Sequence, residues 1–65
     1  MNTNLTLREM DVFRLIVENY QMDNIADELH ISIATVNRHR ENIKAKLGLR
    51  SVKEMITYWY NNHLK

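Results

Sequence analysis

At 65 residues, the chain is long enough for one small domain, with a core that removes only about 60% of the unfolded chain's surface from water. It has no cysteine, which excludes disulfide bonds and thiolate metal sites, and no apolar run approaches the roughly 20 residues of a membrane span. These limits leave little room for an active-site cavity and predict a soluble, cytoplasmic, single domain over residues 1–65 with no membrane association.

The formal net charge of +1 is divided unevenly along the chain. Residues 1–30 contain two basic and six acidic side chains, a net charge of −4, whereas residues 31–65 contain seven basic and two acidic side chains, a net charge of +5. The basic half would attract a polyanion such as a nucleic acid, and the acidic half would repel it. Small domains also have such imbalances by chance, so charge alone does not identify the partner.

A first helix is predicted over residues 7–19. Thr6 and Glu9 have the spacing of a capping box, in which the hydroxyl and the carboxylate each accept from the other residue's backbone amide. Asn19 should end the helix, because asparagine tolerates a left-handed conformation. The apolar residues predicted to face the core share one arc: Met10, Val12, Phe13, Ile16, Val17 and Tyr20.

A shorter helix is predicted over residues 22–29. Its apolar residues form a narrow stripe: Ile25, Ala26 and Leu29. Only His30 and Ile31 separate this helix from Ser32, a favourable N-cap, so the next helix must follow through a tight turn. This arrangement is a helix-turn-helix if the second helix has one polar face.

A third helix is predicted over residues 33–47, between Ser32 and the terminating Gly48. At about 100° per residue, one stripe of this helix is apolar. It consists of Val36, Ile43 and Leu47, with His39 beside it. The opposite face carries Asn37, Arg38, Glu41, Lys44 and Ala45. Such hydrogen-bonding groups are typical of side chains that read base edges, although Arg38 and Arg40 would also suit a solvated face with intrahelical pairs to Glu41 or Asn42.

A fourth helix is predicted over residues 51–62, where Ser51 and Glu54 have the spacing of a second capping box. Its apolar arc contains Val52, Met55, Ile56, Trp59 and Tyr60. This arc is wider than a small core needs, so part of it is predicted to contact a second subunit; alternatively, Trp59 completes the core of its own chain. The predicted fold class is therefore all-α, a four-helix bundle that contains a helix-turn-helix.

No pattern of catalytic or metal-binding residues is present in the sequence. His30, His39 and His63 are scattered and lack a paired spacing such as HExxH. The single glycine excludes a glycine-rich phosphate loop, and Ser32 and Ser51 are better explained as helix caps than as nucleophiles. We therefore expect no enzyme activity, no metal and no cofactor.

Nearly the whole chain resembles the LuxR-type (GerE-like) DNA-binding domain of bacterial transcriptional regulators. The matching residues are Leu5-Thr6, Arg8-Glu9, Val12, Leu15-Ile16, Ile25-Ala26, Leu29, Ile31-Ser32, Thr35-Val36, His39, Asn42-Ile43, Lys46-Leu47-Gly48 and Glu54. Their spacing is intact throughout. As a set the motifs are specific, whereas any one of them alone would be weak.

The resemblance implies that the third helix enters the major groove of double-stranded DNA and that the fourth helix pairs in a homodimer. It implies base contacts from Asn37, Arg38 and Glu41. Contacts to the DNA backbone are implied for Thr35, His39, Arg40, Lys44, Lys46, Met22 and Asp23. The predicted dimer interface consists of Val52, Met55, Ile56 and Trp59. Members of the family often carry a further receiver or ligand-sensing domain, so the chain is either a whole protein or the output domain of a longer regulator, such as a response regulator.

Three departures from the family pattern predict a different DNA target. Asn37 replaces a usual basic residue, Asn19 a usual glycine and Asp23 a usual lysine, which weakens the phosphate contact expected there. Glu41 can accept from cytosine N4, Arg38 suits guanine, and Asn37 suits adenine or merely solvates the face.

A second hypothesis is a protein interaction module that binds a partner, such as RNA polymerase, through Met55, Trp59 and Tyr60.

Overall fold

Residues 4–62, which a computed structural model describes, form four α-helices and no strand. The helices are α1 (Leu7–Val17), α2 (Met22–Leu29), α3 (Ile33–Leu47) and α4 (Val52–Asn61). The predicted all-α class is confirmed, and the bounds of α2 and α3 agree with the prediction. Helix α1 ends two residues earlier than predicted, and α4 is one residue shorter at each end.

Side chains bond the first backbone amides of α1 and α4. At α1, Thr6 Oγ1 accepts from the Glu9 amide at 3.1 Å and Glu9 Oε1 accepts from the Thr6 amide at 3.0 Å, which is the predicted capping box. At α4, Ser51 Oγ accepts from the Glu54 amide at 3.2 Å. The prediction of a second capping box was wrong, because the Glu54 carboxylate accepts from the amide of Arg50 at 2.8 Å instead.

Each turn between successive helices contains one residue with a left-handed backbone. These residues are Asn19, His30 and Gly48, with φ angles of 72°, 57° and 69°. In every turn, the amide of the next residue bonds the carbonyl five residues before it, at 2.8 to 3.0 Å, as in a Schellman motif. The left-handed conformation was predicted for Asn19 and is confirmed there, but nothing in the sequence predicted it for His30.

The hydrophobic core lies between the four helices. Its fully buried side chains are Val12, Phe13, Ile25, Val36, Ile43 and Met55. The Phe13 ring meets the Trp59 ring edge to face, with centroids 4.9 Å apart, and stacks with the Tyr58 ring at 6.4 Å. These ring contacts join α1 to α4, while α1 also packs against α2 and α3.

The buried arc of α1 is displaced from the predicted one. Leu15 and Glu9 are buried, whereas Tyr20, which was predicted to face the core, is 42% exposed. Tyr20 follows the left-handed turn at Asn19, so the helical period no longer determines its direction. Leu15 lies just outside the predicted arc, and it is buried because α1 packs against all three of the other helices.

Candidate nucleic-acid interface

Helix α3 has one buried and one exposed face, as predicted. Val36 and Ile43 are fully buried, and Leu47 packs against the core. The exposed residues of the opposite face are Asn37, Arg38, Glu41 and Ala45, with Lys44 half-buried. The Ser32 cap and the left-handed Gly48 fix the two ends of the helix, so this polar face is presented on a rigid element.

Arg38 is exposed, and within residues 4–62 its guanidinium makes no hydrogen bond or ion pair. The two predicted base-contacting neighbours, Asn37 and Glu41, both interact with other side chains of α3. The planar fork of Arg38 is therefore available for a bidentate acceptor.

Arg40 is held by three neighbours. Its Nη2 donates to Asn37 Oδ1 at 2.6 Å and lies 3.4 Å from Glu41 Oε2, while its Nη1 lies 3.4 Å from the Sδ of Met22. The Nε atom is buried and has no hydrogen-bond partner among the described residues. Arg40 thus connects the polar face of α3 with the first turn of α2.

Glu41 is paired with two cations of the same face. Its Oε2 lies 3.1 Å from Lys44 Nζ and 3.4 Å from Arg40 Nη2. The hydrogen bond from Lys44, together with the charges of Lys44 and Arg40, holds the pKa of Glu41 below its ordinary value. A phosphate that approaches Lys44 or Arg40 must therefore compete with Glu41 for the same N–H groups.

Lys46 extends to α1 and pairs with Glu9. Its Nζ lies 2.8 Å from Glu9 Oε1 and also donates to the carbonyl of Asn4 at 3.3 Å. Glu9 is only 3% exposed, and this burial by itself raises its pKa. The hydrogen bonds from Lys46 and the Thr6 amide have the larger combined effect, so the pKa of Glu9 lies below its ordinary value. The sequence indicated only the capping role of Glu9, since no local pattern identifies a partner 37 residues away.

The remaining predicted backbone contacts border the polar face. Thr35, in the first turn of α3, is half-buried, and its hydroxyl lies 2.9 Å from that of Ser32. His39 is half-buried, and its Nδ1 is buried without a partner in the described part of the chain. At the start of α2, Asp23 is exposed and its carboxylate accepts from the Asn24 amide at 2.8 Å.

Two of the four residues predicted for a dimer interface lie in the core. Met55 is 0% and Trp59 is 6% exposed, because both pack inside the bundle. This corrects the predicted interface and agrees with the alternative that Trp59 completes the core of its own chain. Val52 is 38% exposed and Ile56 is half-buried. Both border a groove of ≈ 220 Å³ that also reaches Arg40.

Residues 4–62 contain no group of three or more histidine, cysteine, aspartate or glutamate side chains arranged to hold a metal ion. His63, considered with the other histidines, lies outside that range. Over the same range, every helix is too short or too polar to cross a bilayer.

A short helix, a tight turn and a longer helix with an exposed polar face place the structure in the helix-turn-helix class. Residues 3–59 match the family described as bacterial regulatory proteins, luxR family (GerE). The chain belongs to this LuxR family, a family of DNA-binding transcription regulators rather than enzymes. The predicted resemblance is confirmed.

The chain is also similar to the "Oxygen regulatory protein NreC" of Staphylococcus aureus. The proteins from strains JH9, JH1 and Mu3 / ATCC 700698 are each 39% identical to it over 54 residues. The similar region covers 83% of this chain but 25% of each relative. The chain therefore spans about a quarter of the length of the curated relatives that it matches.

Proposed function

We propose that this domain binds double-stranded DNA sequence-specifically, with α3 in the major groove, and so controls transcription. The observation that carries the proposal is the exposed row of Asn37, Arg38 and Glu41 on a helix whose opposite face is fixed in the core. The major groove admits an α-helix, and each base pair presents there a distinct pattern of donors and acceptors. Membership of the LuxR family supports the same function.

We assign the base contacts to the exposed row. The fork of Arg38, which is unpaired within residues 4–62, matches guanine O6 and N7, a pairing that contributes about 1 to 3 kcal/mol to base discrimination. Glu41 accepts from cytosine N4, and Asn37 contacts a neighbouring base. Because phosphates repel Glu41, its presence favours a base contact over a backbone contact at that position.

We assign the backbone contacts to residues that border the row: Thr35, His39, Arg40, Lys44, Met22 and Asp23. Thr35 supports this role through its place in the first turn of α3, where amides and the helix dipole favour an anion. Asp23 would contribute its backbone amide, since its carboxylate repels phosphate. Lys46 was predicted to contact the backbone, but its ammonium is engaged by Glu9, so we assign it to stabilising the fold.

We further propose that two copies bind neighbouring half-sites as a dimer through α4. Half-sites for such dimers lie about one helical turn apart, roughly 34 Å. Val52 and Ile56 are the apolar side chains of the predicted interface that remain accessible. The pair is small, so we expect the dimer to form on DNA rather than in free solution.

The full regulator is proposed to be a longer, cytoplasmic protein in which this domain is the output domain. The relatives named above are about four times the length of the region they share with the chain, which leaves room for a receiver or sensing domain. RNA polymerase is a candidate partner of the assembled regulator.

The alternative function, a protein interaction module based on α4, has less support. Met55 and Trp59 would be its principal contacts, and both lie in the core. Tyr60 remains 64% exposed, and with Val52 and Ile56 it offers only a narrow apolar surface. This small area favours DNA as the main partner.

Selection of bound sequences from a random duplex library tests the proposal. The library should return one short motif, present twice, and affinity for that duplex should fall steeply as salt rises. Arg38→Ala should weaken binding roughly fivefold or more and relax the preference for one G·C pair. Arg14→Ala is the matched control, because Arg14 is an exposed arginine on α1 that pairs with Glu18.

The proposal would be contradicted if no motif were enriched, or if affinity did not depend on salt. Equal losses for Arg38→Ala and Arg14→Ala would also contradict it, since the loss would then reflect overall charge.

A further inference from the structure

The Asn37 side chain is hydrogen-bonded to a neighbouring side chain of α3. Its Oδ1 accepts from Arg40 Nη2 at 2.6 Å. A guanidinium has only donors, so the amide atom that faces it must be the oxygen. The two N–H groups of the Asn37 amide are therefore directed away from Arg40.

Arg40 is itself anchored, so it can hold this orientation. Its other terminal nitrogen contacts the Met22 sulfur at 3.4 Å, and its side chain is 27% exposed. The two residues are three positions apart on α3, where side chains are neighbours on the helix surface. A new conformation of Asn37 would cost the charge-assisted hydrogen bond to Arg40.

This orientation conflicts with the usual pairing of asparagine. To read adenine, the amide oxygen accepts from N6 while the amide nitrogen donates to N7. In this domain the oxygen already accepts from a cation, and an adenine amino group would bring a second partial positive charge beside the guanidinium. Guanine instead presents two acceptors, N7 and O6, to the two N–H donors of the Asn37 amide.

We infer that Arg40 orients Asn37 so that this pair reads guanine in preference to adenine, an inference that rests on the proposed DNA binding. Arg40 is therefore a positioning residue that determines specificity, in addition to any attraction it exerts on phosphate. A purely electrostatic role would strengthen binding to all sequences alike.

Library selection with variants separates these two roles. The base pair that Asn37 reads is the one whose preference disappears with Asn37→Ala, and the unmodified protein should select G·C there. Arg40→Met keeps the aliphatic stem but releases the Asn37 amide. The enrichment of A·T relative to G·C at that position should then rise at least about fivefold, which is the lower end of the discrimination that a bidentate pair contributes. In the double variant Asn37→Ala/Arg40→Met, no such shift should occur.

Lys44→Met is the matched control, because it removes a cation of the same face that does not contact Asn37. It should weaken binding to all duplexes and leave the G·C preference intact. Circular dichroism verifies folding, and Arg40→Ala replaces Arg40→Met if the latter does not fold.

Two results would overturn the inference while the proposed function stands: selection of A·T by the unmodified protein at that pair, or an unchanged G·C preference in the Arg40 variants. Failure of the unmodified protein to enrich any motif would overturn the proposed function and this inference together.

Discussion

Three residues with a left-handed backbone form the turns of the domain, and only Gly48 is a glycine. In this conformation, a residue with a Cβ is strained by roughly 1 to 2 kcal/mol. Glycine avoids this strain, but it loses more conformational entropy on folding, which offsets part of the gain. Asn19 and His30 belong to residue types that adopt this conformation more often than most, but both still carry a Cβ.

His30→Gly should therefore stabilise the domain by about 0.5 to 1 kcal/mol. Thermal unfolding followed by circular dichroism would measure this as a rise in Tm of several degrees, since a domain of this size shifts by about 4 to 8 °C per kcal/mol. A lower Tm would mean that the imidazole makes a stabilising contribution larger than the backbone strain.

Gly48→Ala is the reciprocal control and should destabilise the domain by about 1 kcal/mol. A Cβ at Gly48 would lie more than 4 Å from every described residue apart from its two chain neighbours, so the loss would come from the backbone conformation.

The Glu9–Lys46 pair joins the start of α1 to the last turn of α3. Lys46→Met removes the partner of a buried carboxylate and should cost about 1 to 3 kcal/mol. It should leave the salt dependence of DNA binding unchanged. Lys44→Met should instead reduce the slope of log K against log salt concentration by about one, because one phosphate contact is lost. Urea unfolding and a salt titration measure the two effects; an unchanged stability with a reduced slope would instead make Lys46 a phosphate contact.

The same pair gives the domain a defined acid sensitivity. The folded pKa of Glu9 lies below its ordinary value of 4.5, so its stabilising contribution is fully present above that pH and is lost as the pH falls through the folded pKa. In Lys46→Met, the Thr6 amide and the nearby His39 still oppose burial, but the hydrogen bond and the charge of Lys46 are lost, so the pKa of Glu9 should rise and acid unfolding should begin at higher pH. Tm values measured over a pH series would show this displacement.

Helix α4 packs one side into the core and carries the proposed dimer surface on another. Trp59 packs against Phe13 in the core, so Trp59→Ala should cost about 3 to 5 kcal/mol, a large part of the stability of a small domain. A charged residue at Met55 or Trp59 would therefore report on folding and not on dimerisation.

Val52→Glu tests the proposed dimer surface without disturbing the core. Val52 is exposed in the first turn of α4, where an acidic side chain is compatible with the helix dipole. The variant should keep its helical signal and its affinity for a single half-site but lose cooperative binding to a duplex with two. Thr57→Glu, on the same helix and also exposed, is the control and should bind cooperatively. Unchanged cooperativity in Val52→Glu would exclude this surface.

The elements were predictable because their signals are local. Caps at Thr6, Ser32 and Ser51, and left-handed residues at Asn19 and Gly48, lie within one turn of the helix ends that they determine. The apolar periods of α2 and α3 likewise identified their buried faces. Tyr20 was predicted on the wrong side because α1 ends at Val17, before the apolar pattern in the sequence ends.

The contacts that could not be predicted are those between distant segments. Which side of α4 packs inward depends on the position of Phe13, and the engagement of Lys46 depends on Glu9. Arg40 was predicted to contact the DNA backbone or to lie on a solvated face, but its contact with Met22 arises only when α2 and α3 come together. A single sequence specifies the polar face of α3 and leaves open how its side chains constrain one another.

The charge of the domain is divided unevenly between the two halves of its sequence. The acidic half contains α1 and α2, whereas the basic half contains α3 and α4. Long-range attraction would therefore orient α3 toward a duplex before specific contacts form, and this orientation should weaken as salt shortens the screening length to about 8 Å at physiological ionic strength.

Nuclear magnetic resonance of the ¹⁵N-labelled protein, titrated with the selected duplex, tests the claim that the domain binds DNA through α3. Binding through α3 predicts that the amide resonances of Asn37, Arg38 and Glu41, together with those of the first turn of α2, shift most strongly. The resonances of Arg14 and Glu18 on the outer face of α1 should remain in place. Shifts confined to α1 or α4, with those of α3 unchanged under saturating duplex, would contradict the claim.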